Sequence, residues 1–345
     1  MADNPMLLSA VKGALSVDFR PRVMRTVNRR ARTLRLLRAE KGGGQAFFKS
    51  IELSGALAET YAEGADVSNT GTDAVAAFTL PWARYRANFK VTGDVEAAAA
   101  TSTSPADFMR PLFRSLENGI MAAASAMNVD VFSGGGGNAM VGLGTALLDN
   151  NTYGTIDRTQ AANTTFRGNV VDPGVSTDVT LDNLAKDIGD TIYTACGEQP
   201  DLAICSPKVF YTIRNKFFPN QRFTTDSLDL ARGTVKLGYK VEVMDIEGCL
   251  FMKDKDATAN QIFYLNTQYA YVVLLQQVAE TEQFPAYYDL GEQDLNDGGG
   301  PMPLGMKVYE LGPTGDSRKI TAQIKPALVI DRPNACGIRK NVATP

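Results

Sequence analysis

Residues 133–158 read SGGGGNAMVGLGTALLDNNTYGTIDR, and a run this rich in glycine invites a test for phosphate binding. A P-loop needs the spacing G-x-x-x-x-G-K-[S/T], because backbone N–H groups cradle the phosphates while the lysine reaches them. No lysine lies between Lys90 and Lys186. A dinucleotide site needs G-x-G-x-x-G at a strand-to-helix turn. Gly142 and Gly144 lack the third glycine, and the run follows an expected helix. A second candidate is the acidic stretch YYDLGEQDLNDGGG, with Asp289, Glu292, Asp294 and Asp297. Its oxygens suit calcium, but the spacing is not that of an EF-hand, so it reads as a solvated loop. No cofactor, metal or small-molecule substrate is expected.

The chain of 345 residues contains no histidine. That removes Ser-His-Asp and Cys-His catalysis and the commonest zinc ligand. The four cysteines, Cys196, Cys205, Cys249 and Cys336, form no C-x-x-C pair. They read as buried, reduced thiols. Carboxylates, lysine and tyrosine are left for chemistry, and spacing alone brings no pair of them together. The chain therefore reads as non-enzymatic, with a histidine-free cytosolic α+β enzyme as the distant alternative.

Charge is distributed unevenly. Net charge is −3, yet residues 1–41 hold ten Lys or Arg against three Asp or Glu. A basic arm thus precedes an acidic body, which predicts an electrostatic partner for the arm. Arg25, Arg29, Arg32 and Arg35 recur every three or four residues and would share one face of a helix. Their partner is either an acidic patch on a neighbouring subunit or nucleic-acid phosphate. The arginine run holds no aromatic residue on which bases could stack. No secretory signal is read at the N-terminus, and no apolar run is long enough to span a bilayer, so a soluble protein made in the cytosol is expected.

The elements that would carry these groups alternate between α and β. AFFKSIELSG and AFTLPWARYRANFKV, rich in β-branched and aromatic residues, predict a long two-stranded hairpin over residues 46–96. Pro81 marks an edge strand. A lone hairpin is marginal in water, so Phe47, Phe48, Ile51, Leu53, Phe78, Leu80 and Trp82 are the candidate contacts to a neighbouring subunit. Residues 104–131 predict a long helix, with Ser104 as N-cap, Pro105 at the first position and an apolar residue every third or fourth place. Pro111 could kink it. A helix over 181–196, a strand in PDLAICS, a helix from Pro207 and strands in KVEVMDI, QIFYLNTQYAYVVLLQQ, MKVYEL and KITAQIKPALVID follow.

This order of parts resembles the major capsid proteins of tailed bacteriophages, which share the Hong Kong 97-like fold. Members often carry a segment written tyGgIdRs and a nearby w-rg after the long helix. Tyr153, Gly154, Ile156, Asp157 and Arg158 match the first, and Phe166, Arg167 and Gly168 approximate the second. PDLAICSPKVFYTI and IFYLNTQYAYV resemble later segments of the family. The resemblance implies an α+β fold with an N-terminal arm (1–45), an extended hairpin loop (46–98), a peripheral domain (99–177 and 305–345) containing the spine helix 104–131, and an axial domain (178–304). It implies a structural protein assembling with many copies of itself, as pentamers and hexamers, into an icosahedral shell around double-stranded DNA held by non-specific contacts. The expected location is the virion, after synthesis in the host cytoplasm. Portal, scaffolding and decoration proteins are further partners it suggests, and no membrane is. An encapsulin-like nanocompartment shell is the nearer alternative.

Overall fold

The computed structural model describes residues 32–54, 63, 74–92, 105–217, 223–230, 233–275, 287–288, 306–311 and 317–344. Arg25, Arg29, most of the hairpin tip and the acidic stretch Asp289 to Asp297 lie outside the described residues.

The expected arm, residues 1–45, is not a separate unit over its whole length. Helix α1 (Arg32–Leu36) and strand β1 (Arg38–Gly42) are built into the body. Thr33, Leu34, Leu36 and Leu37 are buried, because an apolar LxLL run cannot remain solvated beside a large core. The hairpin is β2 (Ala46–Ser54) against β3 (Ala74–Pro81), antiparallel, with Phe47 opposite Leu80 and Lys49 opposite Phe78. It is shorter than expected, since the return strand breaks after Pro81. The Trp82 indole N–H donates to the Gly44 carbonyl, and the backbone N–H groups of Ala83 and Arg84 donate to Pro326 and Asn138. The chain then resumes as β4 (Tyr85–Thr92) in a different sheet.

Helix α2 (Pro105–Ser133) is continuous through Pro111, which forgoes the bond an N–H there would make to the Asp107 carbonyl. Ala123, Ala124, Met127, Asn128, Val131 and Phe132 form its buried stripe. The glycine run after it is a turn. The N–H of Gly134 donates to Asp130 O, that of Gly142 to Gly134 O and that of Ala139 to Gly136 O, so these amides serve the turn itself. Beyond lie α3 (Leu143–Ala146), the two-residue strands β5 (Thr152–Tyr153) and β6 (Ile156–Asp157), a 3-10 turn (Ala161–Phe166) and β7 (Asn169–Val171).

Helix α4 (Leu181–Lys186) runs through a π turn (Asp187–Tyr193) to Cys196. Strand β8 (Leu202–Cys205), helix α5 (Pro207–Phe217), β9 (Phe223–Leu230), β10 (Gly233–Ile246), β11 (Cys249–Lys253), β12 (Ile262–Leu265), β13 (Ala270–Leu275), β14 (Tyr287–Tyr288), β15 (Met306–Leu311), β16 (Ser317–Ile324), β17 (Pro326–Ile330) and β18 (Gly337–Arg339) complete the chain. A mixed seven-stranded sheet has the order β7-β18-β12-β8-β11-β10-β9. Strand side chains alternate faces, so this sheet stands between two cores. Leu202, Ile204, Phe263 and Leu265 face the core shared by the hairpin and α2. Ala203, Cys205, Ile262 and Tyr264 face a second core under α4 and α5. Strand pairing therefore crosses the expected boundaries at 178 and 305. β7 and β18 extend the central sheet, whereas β13 leaves it to pair with β1 and β17. The cysteines are free, with Cys205, Cys249 and Cys336 buried. Among the described residues, no helix is long and apolar enough to cross a membrane.

Candidate assembly surface

The two faces of the hairpin differ in what they touch. On the inner face, Ile51, Leu53, Phe78 and Leu80 are buried in the chain's own core. Trp82, just past the hairpin, is buried too, and Phe47 packs edge-on against it at 6.4 Å. Of the seven apolar residues expected to meet a neighbour, these six are therefore engaged inside the subunit. The large core next to the hairpin supplies their apolar partner within the subunit. Phe48 is the exception, 63% exposed on the outer face. Val75, 60% exposed, lies on the same face, because Phe48 pairs with Thr79, Ser50 with Ala77 and Glu52 with Val75. Phe48 and Val75 thus stand exposed on one face of the two-stranded ribbon, opposite the face buried in the core.

The hairpin is fastened at its root by the loop that carries TYGTIDR. Tyr153 is fully buried; its hydroxyl donates to Leu328 O (3.3 Å) and accepts from the Ile330 N–H (3.1 Å), both on β17. Burial raises its pKa well above the ordinary phenol value. The Phe78 ring lies 5.0 Å from Tyr153 and 5.7 Å from Phe166. Arg158 is fully buried with its guanidinium 4.6 Å from the Tyr153 ring centre and 5.2 Å from that of Phe166. Its Nη1 donates to Leu148 O, and its Nε and Nη2 have no hydrogen-bond partner among the described residues. Desolvation pushes its pKa down to about 10, and the electron-rich ring faces supply part of the lost solvation. Gly154 has φ +62, and a Cβ there would stand 2.6 Å from the Phe78 ring and 2.9 Å from Thr79 O. The Thr155 hydroxyl donates to Ala77 O on β3, and that of Thr165 to Leu53 O on β2 at 2.5 Å. On the inner face of β2, Lys49 donates to Asp331, which also accepts from the Tyr271 hydroxyl at 2.9 Å.

The root of the arm is held by a buried carboxylate. Asp254 accepts from the Thr33 hydroxyl of α1 (2.7 Å), from Asn128 Nδ2 of α2 (3.1 Å) and from the Asp256 N–H (3.0 Å). Of the four arginines expected to share a helical face, Arg25 and Arg29 lie outside the described residues and α1 spans only five residues. Arg32 is half-buried at its start. Across the sheet, Arg339 and Asp187 form a buried ion pair at 2.8 Å, and the Tyr264 hydroxyl donates to the same carboxylate. On α5 and the adjoining strands, Glu242 accepts from both Arg214 and Lys253 at 2.8 Å. Burial of Glu242 alone would raise its pKa, but those two cations hold it below the ordinary glutamate value.

No protein-family model matches the chain, and no curated protein does. Solved structures do. A chain of the cyanophage A-1(L) capsid superposes with a TM-score of 0.65 over 90% of this chain and 92% of its own, at 15% identity. A chain of the capsid of the native GTA particle gives 0.57 over 92% and 91%, at 14% identity. A chain of Mycobacterium phage Adephagia gives 0.52 over 93% and 91%, also at 14% identity. This is the Hong Kong 97-like capsid fold. Helix α2 covers the span expected for a long spine helix, and β2–β3 lies within the span expected for an extended hairpin loop. The buried Tyr153–Arg158–Phe166 cluster holds hairpin to body in this chain, a role not read from the sequence. An arginine flanked by aromatics within a motif was the available signal. Asp187 and Arg339 gave none, being 152 residues apart.

Proposed function

We propose that this chain builds the shell of a tailed-phage head. Copies join as pentamers and hexamers into a closed icosahedral container for double-stranded DNA, and the chain's role is structural rather than enzymatic. The observation carrying this reading is the agreement with a cyanophage capsid chain over nine-tenths of both chains, which leaves no sizeable part of this chain to another architecture. The hairpin's outer face adds local support. Phe48 and Val75 stand in water on a ribbon whose other face is already buried, so apolar gain is left only for a contact with another subunit.

The basic arm upstream of α1 would then contact packaged DNA through phosphates, without sequence preference and with a steep salt dependence. The test is Phe48→Asp. It should leave subunit stability within about 0.5 kcal/mol, as exposed substitutions do, and reduce the yield of closed particles. Normal yield would remove the outer face from assembly. Nuclease-protected DNA inside purified particles distinguishes a phage head from a nanocompartment shell.

A further inference from the structure

We propose that the loop from Thr152 to Gly168 is a clamp that fixes the direction of the hairpin within the single subunit, before any neighbour is present. The shell reading gives this its consequence, a hairpin oriented in advance for assembly, but the clamp itself follows from contacts inside one chain.

The loop takes hold of both strands. A threonine hydroxyl bonds a carbonyl on each, Thr165 to Leu53 on β2 and Thr155 to Ala77 on β3. Between these two points the Phe78 ring is enclosed by Tyr153, Phe166 and the backbone of Gly154. The loop's other side is anchored in the body. Tyr153 bonds the free edge of β17, and the Gly168 N–H donates to Leu148 O. The loop is also stiff in itself. Arg167 donates from Nε to Arg158 O at 2.6 Å and from Nη2 to the carbonyls of Thr159 and Gln160. Asn163 Nδ2 donates to Asp157 O at 2.6 Å. Arg158 is the keystone: its cation lies against both aromatic rings that enclose Phe78.

A ribbon held by two hydrogen bonds, an enclosed ring and the Lys49–Asp331 pair cannot swing about its root without breaking several contacts together. Such a root distinguishes this hairpin from a segment that takes its direction only on binding, and it lowers the ordering cost at assembly. A free hairpin would instead lose that freedom when a neighbour docks.

Hydrogen–deuterium exchange of the full-length protein, kept dilute and shown to be unassembled by size-exclusion chromatography, tests this. Strands 46–54 and 74–81 should be protected in the lone wild-type subunit. In the Thr155→Val/Thr165→Val variant their exchange should accelerate on the order of ten-fold or more, from about 5-fold for each net hydrogen bond lost. Strands 202–205 and 249–253 should keep their wild-type rates. Arg158→Lys, which retains the charge but not the planar face, should loosen the same two strands. Unprotected hairpin strands in the wild type, unchanged hairpin rates in the threonine variant, or acceleration spread equally into the central sheet would each overturn the clamp. Hairpin rates unchanged by Arg158→Lys would overturn its role as keystone. Failure of the wild type to form particles, with these exchange results intact, would overturn the shell reading and leave the clamp standing.

Discussion

Gly154→Ala should combine a backbone penalty with a steric one. Its φ of +62 lies in the left-handed region, which costs a residue with a Cβ roughly 1–2 kcal/mol. The new methyl would also meet Phe78 ring atoms at 2.6 and 2.8 Å and Thr79 O at 2.9 Å, and the ring is held between Tyr153 and Phe166. Displacing well-packed groups adds about 1–3 kcal/mol. The expected loss is therefore about 3 kcal/mol. Gly197 supplies the control. Its φ is +75, yet nothing lies within 4 Å of the position of its Cβ, so Gly197→Ala should cost only about 1 kcal/mol. For a chain of 345 residues, each kcal/mol corresponds to roughly 1.4 °C in melting temperature. Thermal unfolding of the unassembled subunit should show Gly154→Ala down by about 4 °C and Gly197→Ala by about 1–2 °C. Phe78→Leu should relieve the clash, so the Gly154→Ala/Phe78→Leu cycle should show a favourable coupling of about 1 kcal/mol or more. Equal losses at the two glycines, or no coupling to Phe78, would refute the packing argument.

Three further outcomes follow from the buried and charged groups. Asp187→Asn should cost about 3–5 kcal/mol by leaving Arg339 buried without its counter-charge, and the apolar replacement Asp187→Leu/Tyr264→Phe/Arg339→Met should recover most of that in denaturant titration. Glu242 has a depressed folded-state pKa, so its stabilisation is present above the unfolded glutamate pKa of about 4.3 and is lost as pH falls through the folded value. The stability gap between wild type and Glu242→Gln should accordingly be full at neutral pH and close below about pH 4. Thr33→Val should loosen the root of the arm at a cost of about 1.5–3 kcal/mol, since it removes a hydrogen bond to the buried Asp254 carboxylate, read as faster amide exchange over residues 33–42.

The long helix, the β2–β3 hairpin and the order of later strands were legible because each rests on local signals. Pro105 and the three-to-four-residue apolar spacing mark α2, and alternating β-branched and aromatic residues mark the strands. What was not legible depends on contacts distant in sequence. The hairpin's apolar residues looked unpartnered, yet Phe78 is covered by rings 75 and 88 residues further on. The break after Pro81 is set by Trp82, Ala83 and Arg84 bonding segments elsewhere in the chain. The departure of β13 from the central sheet is decided by pairing with β1 and β17, which no local pattern encodes. The arm's root reads in sequence only as part of a basic segment, because the Asp254 that holds Thr33 lies 221 residues away.

Electron microscopy of the protein after expression and size-exclusion chromatography decides whether its copies build a shell. Closed, uniform particles are expected in the void fraction, with five-fold and six-fold capsomers on their surface. A single small species at every concentration and salt condition, with no closed particles on the grid, would contradict the shell reading.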